Sequence, residues 1–127
     1  MSLDTIRLSQ HSKEQLIWLK RITGIKHWNV LCRWALCLSF ADPTPPVISD
    51  VPTDSNVEMS WRTFAGEHAD VYLALLRQRT RQEFGAQEGP ASLDTCLRAH
   101  LARGVGMLHG LGADIDVLLR LPGDLAA

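Results

Sequence analysis

The first patterned stretch of the chain alternates. Thr5-Ile6-Arg7-Leu8 places polar and apolar residues in turn, and this period of two predicts a short strand. A strand this short cannot satisfy its own backbone or bury a sheet face alone. It therefore requires a partner elsewhere in the monomer or the matching strand of a second subunit, and no partner strand is evident nearby. The spacing then becomes helical. Ser12, with Gln15 at the capping-box position, opens a helix over residues 13–22 whose Leu16, Leu19 and Ile22 form an apolar stripe, and Thr23-Gly24 ends it. Asn29 is the expected cap of a second helix, in which Val30, Leu31, Trp34, Ala35, Leu38 and Ala41 supply a broad apolar face up to Asp42-Pro43.

Residues 42–56 contain Pro43, Pro45, Pro46 and Pro52 and read as an ordered excursion long enough to be a contact surface. From Glu67 to about Gln82, Val71, Leu73, Ala74, Leu75 and Leu76 predict a third helix, followed by a turn through Gly85, Gly89 and Pro90. Ser92 reopens helical structure, and Leu93, Leu97, Leu101, Val105 and Leu108 recur at spacings near three and four. Gly104 and Gly106 weaken the end of this fourth helix, and they also allow close packing. Ile115, Leu118 and Leu119 predict a short final helix over 115–121 before Pro122. The resulting expectation is a mainly α, compact helical domain. Its opening order of lone strand, basic amphipathic helix, glycine turn and apolar helix is ribbon-helix-helix-like.

Composition narrows this picture. A chain of 127 residues, 46% hydrophobic and 21% charged, has room for one core, so one domain over 1–127 is expected. Its longest apolar run, WALCLSFA, lies between Arg33 and Asp42, too short to cross a membrane. The opening residues lack the basic end and apolar run of a signal peptide, so a cytoplasmic location is expected. Three cysteines, Cys32, Cys37 and Cys96, are an odd number for a disulfide framework, and the five histidines are scattered, so ordinary burial is expected and no metal site.

The formal charge of -1 conceals a separation. The first forty residues carry six basic side chains against two acidic, a formal +4, whereas residues 41–70 carry one against six, a formal -5. On the ribbon face opposite the core, Thr5, Arg7 and Ser9 are displayed, and the fork of Arg7 suits a base edge or a phosphate. Lys13, Lys20, Arg21 and Lys26 suit phosphate oxygens, though a solvated helix face has the same composition. Trp18, Trp28, Trp34 and Trp61 are expected as packing anchors rather than base-stacking platforms.

Three long segments carry a more specific signal: IRLSQHSKEQLIWLKRITGIKHWNVLCRWALCLSFADP, DSNVEMSWRTFAGEHADVYLALLRQR and LRAHLARGVGML. Over most of its length the chain closely resembles the DndE family of bacterial DNA sulfur modification, or phosphorothioation, proteins. The resemblance implies a mostly helical protein that self-associates as a tetramer. It also implies DNA binding within a multiprotein pathway that replaces a non-bridging phosphate oxygen with sulfur. Carried onto this sequence, it draws attention to Lys20, Arg21, Lys26 and Arg33 as backbone contacts, and to Gly24 as a tight turn or a point of close subunit approach. The residues themselves include no P-loop, no iron-sulfur cysteine array and no compelling acid-base cluster. The expectation is a noncatalytic, cofactor-free accessory subunit whose partners are double-stranded DNA, with a nick as one feature it could select, and other DNA sulfur modification proteins. Two alternatives stand beside it: a protein-only assembly adaptor, and a catalyst using Asp54, Glu58, His68 or Asp70 in an assembled site.

Overall fold

The computed structural model describes residues 5–47, 51–85 and 90–112. Strand β1 (Thr5–Arg7) leads into α1 (Gln10–Thr23) and α2 (Trp28–Ala41), and these are followed by β2 (Glu58–Ser60) and a short α3 (Trp61–Ala65). A 3-10 turn (Gly66–His68) then leads into α4 (Ala69–Phe84), and α5 (Pro90–Gly112) closes the described chain. The protein is mainly helical, as its periodicity implies. The predicted helix over 115–121 and the Gly89 turn lie outside the described residues.

The partner that β1 requires is in the same chain. β1 and β2 pair antiparallel with Thr5 opposite Ser60, Ile6 opposite Met59 and Arg7 opposite Glu58. Ile6 and Met59 turn into the core, while Arg7 and Glu58 share the outer face. Further bonds from Leu8 N to Val57 O (3.0 Å) and from Ser55 N to Leu8 O (3.2 Å) tie the following residues together. On this edge, the ladder that a ribbon-helix-helix arrangement draws from a second subunit is made within the chain.

Two caps differ from the sequence expectation. α1 begins three residues earlier than predicted because Ser9, in extended conformation, is its cap, with its Oγ accepting from the Ser12 amide at 3.0 Å. Ser12 is thus a buried first-turn residue. At the other end Gly24, at φ 75°, donates its N–H to Lys20 O, the left-handed stop that glycine adopts at least cost. α2 starts at Trp28 after His27, which makes no side-chain cap, and Asn29 lies inside the helix with its Nδ2 donating to Thr63 O at 3.2 Å. Asn29 therefore tethers α3 to α2 instead of capping.

α5 is the spine. Leu93, Cys96, Leu97, His100, Leu101, Val105 and Leu108 are buried along it, and it packs against α1, α2 and α4, most extensively against α2. Gly104 is the reason α2 can come so close: a Cβ there would lie 1.9 Å from Ala35 O. The glycine read as weakening the helix sits in its unbroken interior, where it admits the α2 backbone. α4 starts at Ala69 rather than Glu67, since residues 66–68 form the 3-10 turn. α5 starts at Pro90, two residues before Ser92, in keeping with the preference of proline for a first helical turn.

Candidate nucleic-acid interface

The six cations singled out in the sequence fall into two groups. Arg7, Lys13 and Arg33 are engaged by the protein's own acceptors. Arg7 donates through Nη1 to Ser55 O at 3.0 Å and through Nη2 to the Glu58 carboxylate, an ion pair whose side chains are 44% and 43% exposed. Lys13 Nζ donates to Asn56 Oδ1 at 2.6 Å. Arg33, on α2, donates through Nη1 to Phe64 O at 2.9 Å and lines a cleft with Gly66, Glu67, His68 and Tyr72.

Lys20, Arg21 and Lys26 are different. Lys20 and Arg21 occupy the last turn of α1, where positive charge complements the carbonyl end of the helix, and Lys26 follows in the turn to α2. The Lys20 ammonium stands 3.9 Å from the ring centroid of half-buried Trp28, a cation–π contact that positions it without neutralising it. Arg21 and Lys26 are exposed, and among the described residues they have no hydrogen-bond or ion-pair partner. Lys13 and Lys20 are seven residues apart, two helical turns or about 10 Å along one face, with exposed Ile17 between them. Gly24 lies at the centre of the second group. Open space surrounds the position of its missing Cβ, so within the monomer it is the backbone turn that requires glycine.

The tryptophans pack as expected: all four are partly buried against the core. Trp18 stacks at a tilt on His109 and Trp61 on Phe64, with centroids 4.7 and 5.5 Å apart.

The carboxylates and histidine weighed as catalytic candidates are dispersed in two pairs. Asp54 Oδ1 accepts the Gln10 amide at 2.8 Å at the start of α1, and Glu58 pairs with Arg7. His68 faces Glu67 at 3.7 Å on an exposed turn, and Asp70 lies exposed in the first turn of α4. Among the described residues no hydrogen bond or ion pair joins Asp54 or Glu58 to His68 or Asp70.

A buried polar cluster escaped the sequence reading altogether. α2 ends with no basic residue in its last turn, leaving its final carbonyls exposed to the interior. Two arginines from other helices meet them. Arg79 of α4 donates to Phe40 O (2.9 Å) and Asp42 O (3.1 Å), and Arg103 of α5 donates to Ser39 O and Thr44 O (both 2.8 Å). Glu83 balances Arg79 at 3.0 Å and also faces His100 Nε2 at 3.0 Å. A carboxylate cannot donate, so the network assigns the proton to Nε2 of His100. Nδ1 then accepts from Ser39 Oγ at 2.7 Å, and Ser39 Oγ accepts in turn from Arg103 Nε at 2.9 Å. Burial holds the His100 pKa below its usual value of 6.5 against the opposing pull of Glu83, which keeps the ring neutral.

Glu83, Cys96 and His100 bring three potential ligand atoms within 4.8 Å of one another. The surrounding chemistry argues for a hydrogen-bonded brace rather than a metal centre. Arg79 holds one Glu83 oxygen and Cys96 Sγ donates to the other at 3.5 Å, while burial pushes the Cys96 thiol up to about 11. Cys32, fully enclosed, is pushed up to about 12 for the same reason. Cys32 and Cys96 are buried in the core. Asp42 completes the corner: hydrogen bonds from Thr44 hold its carboxyl below the usual range and fold the chain away from α2.

With this geometry in view, the relatives can be placed. A family profile described as DNA sulphur modification protein DndE matches residues 5–112. A crystal structure of DndE from Escherichia coli B7A, described as involved in DNA phosphorothioation modification, superposes with a TM-score of 0.71 at 24% identity. The match covers 85% of this chain and 98% of that one. A DndE variant with two glycines replaced by lysine, described as involved in DNA phosphorothioation, gives a TM-score of 0.65 at 20% identity over 84% of this chain and 97% of that one. At these identities the superpositions establish the fold alone. No curated protein matches the chain in sequence. No helix among the described residues is long and apolar enough to cross a membrane.

Proposed function

The chain belongs to the DndE family of DNA sulphur modification proteins, and from that premise we propose that it is a noncatalytic accessory subunit of the phosphorothioation machinery that binds double-stranded DNA through phosphate contacts. The observation that carries the reading is the set of cations at the α1–α2 turn. Lys20, Arg21 and Lys26 present charge to solvent around Gly24, whereas the other basic groups of the N-terminal segment are engaged internally. Phosphate contacts position a protein on DNA without reading bases, so such a surface suits a backbone-directed reaction. Arg7, Lys13 and Arg33 are held by internal acceptors and lie outside the phosphate-contact set in this reading.

A nick is the preferred DNA feature in this proposal, because an interrupted strand bends easily and offers its backbone to a compact basic turn. The working unit is a homotetramer in the cytoplasm, in which Gly24 also allows close approach of a second subunit, and it acts beside the other DNA sulfur modification proteins. One domain over residues 1–127 performs the role, and no cofactor or metal is required. The β1–α1–α2 order is ribbon-helix-helix-like with its second strand supplied by β2. Exposed Val71 and Leu75 on α4, 57% and 39% exposed, favour a second reading as a protein-only assembly adaptor. Titrating nicked and intact duplexes at several salt concentrations separates the two. The DNA reading expects binding that weakens linearly in log–log form with salt. Binding of neither duplex above a protein of similar size and charge leaves the adaptor.

A further inference from the structure

The acidic stretch after the proline-rich excursion lies across the basic N-terminal face, residue against residue. Asp54 accepts the first free amide of α1, at Gln10, at 2.8 Å. Asn56 accepts the Lys13 ammonium at 2.6 Å. Glu58, directly across the ladder from Arg7, accepts its guanidinium, and Ser55 O takes the other arm of the same fork. These are the kinds of group that a nucleic-acid backbone would occupy: a helix N-terminal amide, a lysine and an arginine fork. The juxtaposition follows from the pairing register. Ile6 and Met59 must face the core, so Arg7 and Glu58 must face outward together, and the outer surface of the ribbon is neutralised by the same ladder that builds it.

We infer that residues 54–58 act as an internal phosphate surrogate that holds DNA off Arg7, Lys13 and the start of α1, and so confines the DNA footprint to the α1–α2 turn. The inference rests on the DNA-binding reading above and adds where the footprint ends. The Arg7–Glu58 pair is nearly half exposed on both sides, so its attraction is screened and modest. It sets a threshold that a phosphate must exceed. Removing the acid should therefore extend the footprint onto the ribbon, with Arg7 as the group released.

The experiment measures nicked-duplex affinity and its salt slope for the full-length chain carrying Glu58→Gln, Arg7→Gln or both. Glu67→Gln serves as a charge-matched control, since Glu67 touches neither Arg7 nor Lys13. Glu58→Gln is expected to bind roughly two- to five-fold tighter than Glu67→Gln. Its salt slope should steepen by about 0.9, the increment for one added phosphate contact. Arg7→Gln alone is expected to leave affinity and slope unchanged, and in the double variant the gain disappears. Equal effects of Glu58→Gln and Glu67→Gln overturn the inference, because the gain would then be net charge alone. Weakened binding by Arg7→Gln in the otherwise unaltered chain also overturns it, because Arg7 would already touch DNA. Should Glu58→Gln melt earlier, the Arg7→Gln arm decides the matter independently. Failure of the unaltered chain to bind duplex at all is a distinct outcome that removes the DNA reading itself.

Discussion

Two sets of basic residues in this small protein are chemically alike and physically opposite. Around the end of α2, Arg79 and Arg103 direct their donors inward, onto four carbonyl groups of residues 39–44 and onto Glu83. Around the end of α1, Lys20 and Arg21 also meet a helix C-terminus, but they do so from the helix's own last turn and remain on the surface with Lys26. Both sets answer the same unsatisfied carbonyl charge. Where the helix end is buried, the answer must come from other elements, and every guanidinium nitrogen is engaged. Where it faces solvent, water completes the job and the cations stay free for a polyanion. The fate of the donors, rather than the density of positive charge, separates structure from binding here.

Breaking the inward set should cost the most. Glu83→Ala removes the carboxylate that pairs with Arg79 and accepts from His100, and loss of one partner from a buried charged network costs about 3–5 kcal/mol. Denaturant unfolding should record a destabilisation of that size. Any loss of DNA affinity should follow the unfolded fraction alone.

Gly104→Ala tests the packing that frames this brace. Its Cβ would overlap the Ala35 carbonyl, which is backbone and cannot rotate away. Overpacking commonly costs about 1–3 kcal/mol, and the upper end is expected here. Gly24→Ala, with open space around its Cβ but φ at 75°, should cost less, about 1 kcal/mol. A thermal melt that ranked the two glycines the other way would refute the assignment of Gly104 to packing and Gly24 to turn geometry.

The buried network also predicts a modest pH dependence. His100 has a depressed pKa in the folded state, so as pH falls through the usual value of 6.5 the unfolded chain takes up a proton that the folded one resists. Stability should be greatest above about pH 7, and it should decline on acidification until the folded pKa is passed. The groups facing the ring are Glu83, Ser39 and Phe40, with Arg79 and Arg103 adding positive charge that opposes protonation. His100→Gln should flatten this slope between pH 7 and 5. Chemical denaturation at a series of pH values checks it, and an unchanged slope would show that His100 is not its source.

What could be read from the sequence follows from range. Helices with several apolar repeats were legible, since periodicity is a local property: the stripes of α1, α2 and α5 appear in the pattern of leucines. β2 and α3 were not, because three and five residues contain too little repetition to stand out within residues 57–65. The cap of α1 was misplaced by three residues because Ser9 and Ser12 are both plausible caps, and only the extended conformation of Ser9 distinguishes them. The arginine brace was invisible for a stronger reason: its contacts join residues about forty to sixty positions apart, such as Arg79 with Phe40 and Arg103 with Ser39. Only the Arg79–Glu83 spacing of four offered a local hint. For the proposed interface, the sequence identified which residues are basic but not which are already engaged. Arg33 looks no different from Lys26 until Phe64 O is found beside it.

The most direct test of the account is the salt dependence of duplex binding by the variant carrying Lys20→Gln, Arg21→Gln and Lys26→Gln, compared with the unaltered protein on nicked DNA. If these side chains each neutralise a phosphate, the slope of log K against log salt should fall by about 0.9 for each, or up to about 2.7 in all. Oligomeric mass should be unchanged, and the melting temperature should fall only slightly, because the variant loses the Lys20–Trp28 contact and the positive charge at the end of α1. An unaltered slope in a folded, equally assembled variant would contradict the account and place the DNA contact elsewhere.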